Sequence, residues 1–233
     1  MSGLIEQSPD RQSSFWLASQ WFARALSERD AHHRFSSLAH ALKSHPRLAV
    51  LCSELEGAAA DEKRHIGLCM KQVQRFGGPA LRDYKGFTPY FHSVLCELVT
   101  LFCVMETINA ALLLSLKECL SDNSLRETCH EILRDEVQHA RIGWAALSLS
   151  TSEERDVVWN HLPQIFQAAG VDKVDKDDAN FDHTAAEWGL FDRAQRVAIL
   201  TQTMNEVIFP GFWQMGLGKE IDWKQIQVQL SNH

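Results

Sequence analysis

The chain has six cysteines but no Cys-x-x-Cys pair, which excludes a built-in rubredoxin-type iron site. Any redox work would draw its electrons from elsewhere. Cys52, Cys69, Cys96, Cys103, Cys119 and Cys129 are scattered along apolar stretches, the expected pattern for small buried hydrophobes in a reducing compartment. No block of Lys and Arg interleaved with aromatics occurs, and the net charge is −7 with a pI near 5.9. A nucleic-acid-binding surface is therefore not expected. Met1 to Arg11 has no apolar signal-peptide core, and no uninterrupted apolar run reaches membrane-spanning length. These absences predict a soluble, cytoplasmic protein without a membrane partner. Nowhere do alternating β-branched runs flanked by turns predict a sheet. What is present is a 45% hydrophobic composition over 233 residues, enough for one sizeable core.

The apolar spacing predicts an all-α fold. Residues 1–12 read as a flexible tail. From Ser13 to Lys43, Leu17, Trp21, Ala25, Phe35, Leu38 and Leu42 recur with helical period. Ser44-His45-Pro46 breaks the pattern, with Pro46 placed to open a second helix that stops at Gly77-Gly78-Pro79. A turn-rich connection to Phe87 follows. Thr88-Pro89 is expected to cap and open a third helix reaching about Leu120. After Ser121-Asp122-Asn123 a fourth runs to about Ser150. Thr151-x-x-Glu154 has capping-box spacing and opens a fifth, to about Ala169. Gly170 to His183 reads as an acidic surface loop. A last long helix spans about Thr184 to Trp213, kinked or ended by Pro210, and the tail from Lys219 is expected to form one more short helix. The first four helices, each about 45 Å long at ~1.5 Å per residue, form two hairpins within 13–150, and 151–233 is a helical extension packed on them.

Charged residues inside the apolar stripes carry the functional information. Glu28 lies between Ala25 and Phe35, Glu62 and His65 between Ala59 and Cys69, Glu106 between Cys103 and Ala110, and Glu136 and His139 between Ile132 and Gly143. Unpaired carboxylates in a low-dielectric interior are costly, and four need cationic compensation. Arg24, one turn before Glu28, could answer that one acid as an ordinary surface pair, but it leaves the other three. Two metal ions answer all four.

Glu-x-x-His spacing alone is a weak signal, and Glu127/His130 shares it. Glu127 precedes Glu136 by nine residues, ~900° of rotation, and so faces away. Asp30/His33 reads as peripheral, and Glu187 and Glu206 as solvated. Register is the stronger test, because residues level in an antiparallel hairpin are equidistant from its turn. The midpoint of 28 and 62 is His45, inside the first break, and that of 106 and 136 is Ser121, inside the second. Two hairpins thus each bring one Glu level with one Glu-x-x-His. One Glu from each of two helices plus Glu-x-x-His from each of the others is the ligand set of di-iron and di-manganese carboxylate bundles. Mixed carboxylate and imidazole ligands suit iron or manganese, as two Fe, two Mn or a mixed pair.

At these residues the chain resembles the ferritin-like superfamily of di-iron carboxylate proteins. The likeness covers about 13–150 and is most specific at Asp61-Glu62-Lys63-Arg64-His65 and Asp135-Glu136-Val137-Gln138-His139, a repeated DExxH. The resemblance implies a ferritin-like four-helix bundle in which Glu62 and Glu136 (or Glu28 and Glu106) bridge or chelate two metals, and His65 and His139 each bind one. By analogy Asp61 orients His139 and Asp135 orients His65 across the bundle. The implied activity is a non-haem di-iron oxidase or oxygenase with O2 as co-substrate, acting on a small organic molecule, with Glu28, Glu62, Glu106 and Glu136 as its catalytic carboxylates. An external ferredoxin or reductase is the expected electron donor. A ferroxidase or peroxide-scavenging protein is the alternative, and a metal-free helical scaffold a third. No rubredoxin module is present, and the extension beyond residue 150 is expected to wall a substrate pocket. A homodimer through an exposed apolar helix face is the default expectation.

Overall fold

The computed structural model describes residues 9–171 and 187–218. Among these residues there is no strand, and seven helices account for the fold. They are α1 Arg11–Leu42, α2 Cys52–Arg75, α3 Val94–Cys119, α4 Asn123–Leu149, α5 Ser152–Asn160, α6 Leu162–Ala168 and α7 over 193–214. The expected acidic loop at 170–183 lies almost wholly outside the described residues, as do the start of the last predicted helix and the short helix in the tail from Lys219.

Helix α1 packs along α2 and α3 along α4, while α2 also packs against α4. Leu17, Trp21, Ala25, Phe35, Leu38 and Leu42 are all buried, as the helical spacing predicts. Fully burying a side chain such as Phe35 or Leu55 contributes about 1.5–3 kcal/mol. Of the cysteines, all of them free, Cys69, Cys96, Cys103 and Cys129 are buried. Cys119 is exposed, so the expectation of burial does not hold there. Helix α3 is long and apolar enough to cross a membrane by length and composition, although Glu97, Glu106, Lys117 and Glu118 interrupt it. Over half of its most apolar stretch is buried against the other helices.

Several helix ends differ from the sequence reading, each for a local reason. Asp10 accepts from Ser13 N–H, so α1 starts earlier than Ser13. Pro46 does not open α2. A 3₁₀ turn at Leu48–Leu51 intervenes, and His45 Nδ1 accepts from Leu48 N–H at 3.2 Å. Thr88-Pro89 does not open α3 either: Ser93 is its cap, and Thr88 is held by Arg34, which donates to its carbonyl at 3.1 Å. The capping box of Thr151 and Glu154 forms. The predicted fifth helix then breaks at His161, because Pro163 has no N–H to continue the ladder. Asp192 and Gln195 form a second capping box, which starts α7 later than Thr184. Just before Pro210, α7 widens into a π turn at Met204–Ile208, where the Phe209 N–H donates to the Met204 carbonyl.

The crossover between α2 and α3 is pinned along α1. Tyr84 donates to Asp30 at 2.7 Å and stacks on His33 with ring centres 4.1 Å apart. The peripheral acid-x-x-His pair thus has a structural task. In α3 a π segment runs from Val99 to Glu106, and it lies against Gly143 of α4. A Cβ at Gly143 would stand 2.8 Å from the Cys103 amide nitrogen and 2.6 Å from its sulfur. Only glycine allows this approach, one turn beyond His139.

Gly143→Ala should therefore destabilise the fold by about 1–2 kcal/mol, since overpacking against backbone outweighs the gain in helix propensity. Gly57→Ala, where a Cβ meets nothing within 4 Å, should stabilise it. Urea midpoints moving in opposite directions at unchanged slope would establish the contrast.

Candidate metal centre

Glu28 on α1, Glu62 and His65 on α2, Glu106 at the end of the π segment of α3, and Glu136 and His139 on α4 converge in the interior. None is more than 6% exposed. Their potential ligand atoms form two groups: Glu28, Glu62, His65 and Glu136, and Glu62, Glu106, Glu136 and His139. Within each group the atoms lie within 4.8 Å of one another. Glu62 and Glu136 belong to both. Of the two assignments the sequence leaves open, the geometry puts these two carboxylates between the groups and Glu28 and Glu106 at the ends.

His65 Nδ1 lies 3.6 Å from Glu28 Oε2, 3.7 Å from Glu62 Oε2 and 3.9 Å from Glu136 Oε1. His139 Nδ1 lies 3.0 Å from Glu62 Oε1, 3.5 Å from Glu136 Oε2 and 3.8 Å from Glu106 Oε2. None of these contacts is aligned as a hydrogen bond. Ten buried side-chain nitrogen and oxygen atoms of the described residues lack a hydrogen-bond partner, and seven of them belong to these six residues. The orphaned atoms are therefore concentrated where the ligand groups meet.

Glu97 shows what a buried carboxylate looks like when the protein itself satisfies it. Arg34 Nη1 donates to one of its oxygens at 3.2 Å and the Phe91 amide to the other at 2.9 Å. No such donors reach Glu62. A cluster of four acids and two imidazoles with free lone pairs pointing inward can hold metal ions. No family model, no curated protein and no solved structure matches the chain.

The outer faces of the imidazoles are held by acids from the opposite hairpin. His65 Nε2 donates to Asp135 Oδ2 at 3.1 Å, and His139 Nε2 lies 3.5 Å from Asp61 Oδ2. In the neutral ring this arrangement keeps the proton on Nε2 and leaves the Nδ1 lone pair directed at the cluster. Arg64 ties the two acids together, donating to Asp61 at 2.8 Å and to Asp135 at 2.6 Å. Burial raises Asp135, but Arg64, His65 and Arg134 outweigh it and hold its carboxyl down at about 2.

The roles of Arg64 and Asn109 and the π segment escaped the sequence reading. Arg64 stands three residues after Asp61, a spacing that could have disclosed their pairing. Asn109 stands three after Glu106, where α2 and α4 carry His; it donates to Glu136 Oε1 at 2.8 Å and accepts from Arg24 at 2.6 Å. Arg24 does approach Glu28, at 3.6 Å, but Glu28 is buried, so the pair is not the surface contact its spacing allows. The π segment has no sequence signal that we could use; such segments recur at functional sites.

With protons as the only counter-ions, the cluster holds on to them. Burial and the neighbouring Glu28 and Glu136 push Glu62 up to about 8, and burial with Glu106 pushes Glu136 well up. Burial lowers His65, yet Glu28 and Glu62 raise it to about 10. His139 is raised likewise by Glu106, Glu136 and Glu62 against burial. Glu28, which burial raises, is brought down to about 2 by His65, Glu62 and Arg24. Metal ions must displace these protons. Below about pH 8 a proton on Glu62 competes with the ion, and protons on His65 and His139 go on competing above it. Apparent affinity for Mn(II) should therefore rise between pH 6 and 8, with net proton release in calorimetry across buffers of different ionisation heat. A flat profile without proton release would contradict this.

Proposed function

We propose that the chain is a ferritin-like di-iron oxidase or oxygenase that uses O2 to oxidise a small organic molecule. The observation that carries this reading is the pair of overlapping ligand groups sharing Glu62 and Glu136, with their buried lone pairs unsatisfied. Glu28 and His65 would hold one ion, Glu106 and His139 the other, and Glu62 and Glu136 both. Four carboxylates balance two divalent cations, so the loaded site is close to neutral. The donors are carboxylate and imidazole. Cys69, one turn after His65, is held as a thiol by burial, which raises it well above its ordinary value. That donor set favours iron or manganese over thiolate-seeking metals.

When bound, a pair of ferrous ions supplies the redox chemistry toward O2. The chain's own residues do the rest. Asp135 and Asp61 fix the tautomer of the two imidazoles, and Arg64 holds both acids in place. Asn109 donates to Glu136 and limits its swing. Phe35, packed edge-on against His139 with ring centres 6.0 Å apart, helps exclude water. An oxygenation consumes O2, a C–H bond, two electrons and two protons, and yields an alcohol and water. With no cysteine pair to hold a second redox centre, the electrons come from an external donor such as a ferredoxin or a reductase.

An organic substrate is favoured over iron and peroxide alone by a cavity of about 240 Å³ lined by Arg24 and Asn109, next to Glu28 and Glu136. A protein that handles only iron and peroxide has no use for its apolar walls.

Anaerobic titration with Fe(II) should load two ions per chain. Glu62→Ala should lose both and Glu28→Ala one, while Asp135→Asn should weaken binding about 10–100-fold. Admitting O2 without a reductant should give a burst of uptake that ends once the bound iron is oxidised, and with a reductant present an organic substrate should sustain and speed the uptake. Continued uptake in proportion to added iron would replace the oxygenase with a ferroxidase. Failure to bind iron would remove both readings.

A further inference from the structure

We propose that the cavity beside Arg24 and Asn109 is the substrate site of this centre, and that its ligand is a small apolar monocarboxylate. This inference rests on the two-metal reading and adds the substrate class to it.

The cavity lies among α1, α3, α4 and the segment at 187–190. Trp21, Leu116, Leu120, Trp188 and Leu190 make its walls apolar, and the exposed Gln20 and Ser27 lie on its rim. The segment that closes it is held in place: the Glu187 carbonyl accepts from Ser121 N–H at 2.9 Å, at the turn between α3 and α4. Gly189 has φ +85°, and a Cβ there would stand 3.0 Å from Leu116 and from Leu120. The part of the chain beyond α6 is thus fitted as a wall over the metal-bearing helices.

The polar end of the cavity is where the ligand class is read. Among the described residues no acid lines it, and Arg24 is its single cationic side chain. One Arg24 donor goes to Asn109, whose amide in turn holds Glu136. The remaining attraction is toward Glu28 at 3.6 Å, beyond hydrogen-bond distance. Four glutamates match two divalent ions, so once the ions are bound Glu28 no longer offsets Arg24. A guanidinium facing a cavity that is apolar on one side and polar on the other then favours an anion, and its planar fork suits a carboxylate. A cation would be repelled. A phosphate dianion would need a second positive group that the walls do not provide.

Size narrows the class further. At ~30 Å³ for each water-sized group, the volume holds about eight such groups. That is the scale of an aryl or short alkyl acid.

The test uses the full chain loaded with Mn(II), titrated with benzoate and hexanoate and with their neutral amides, benzamide and hexanamide. Calorimetry gives the affinity, and quenching of tryptophan fluorescence reports on Trp21 and Trp188. At least one acid should bind ten-fold or more tightly than its amide. Arg24→Gln should erase that preference, Arg24→Lys should keep part of it, and Leu116→Trp should abolish binding of both forms while two manganese ions remain. Metal content measured on the same samples separates the two levels of the argument. Protein that takes up no manganese overturns the two-metal reading. Protein that holds two ions yet binds the acids no better than the amides, or binds neither, overturns the substrate class alone.

Discussion

Repulsion among Glu28, Glu62, Glu106 and Glu136 is the constraint to which the rest of the structure answers. Two like charges about 4 Å apart repel by about 4 kcal/mol even at an effective dielectric of about 20. Several such pairs would consume the whole of a domain's net stability, about 5–15 kcal/mol. The fold nevertheless brings these acids together and gives them only Arg24, near Glu28, and the Asn109 amide, on Glu136, leaving both oxygens of Glu62 and one of each other acid without a donor. Such an arrangement is stable only if other positive charge enters. Protons can do so at the cost of strongly displaced titration, and divalent cations can do so without it.

Much of the architecture serves to hold these acids at one level. The two short turns bring Glu28 level with Glu62, and Glu106 level with Glu136. Gly143 lets α4 close on the π segment of α3, which carries Glu106 at its end. Asp61 and Asp135 reach across from one helix to the imidazole on another, so each hairpin orients a donor belonging to its neighbour, and Arg64 links the two acids. The Arg24–Asn109–Glu136 chain then joins the centre to the apolar cavity. In this way the packing that buries the charge also defines where a second molecule could approach it.

How much was legible beforehand follows from what kind of signal each feature leaves. The helices were legible because their apolar periodicity is long, and the convergence of the six side chains because hairpin register depends only on distance from a turn. Helix ends were less so. Pro46 and Pro89 looked like helix openers, but a 3₁₀ turn and the grip of Arg34 on Thr88 set the boundaries instead, and these are tertiary contacts. Asn109 was overlooked because it breaks the Glu-x-x-His pattern while occupying its position. Gly143 was visible as a residue, but its closeness to Cys103 depends on the π segment, which periodicity does not disclose.

The central claim is that two cations sit together among these acids. Anomalous diffraction from crystals grown with Mn(II) tests it most directly. The account predicts two peaks about 3.5–4 Å apart, both within coordination distance of Glu62 and Glu136, with His65 on one and His139 on the other. A single peak, peaks confined to the surface, or no peak with the four carboxylates still buried would contradict it.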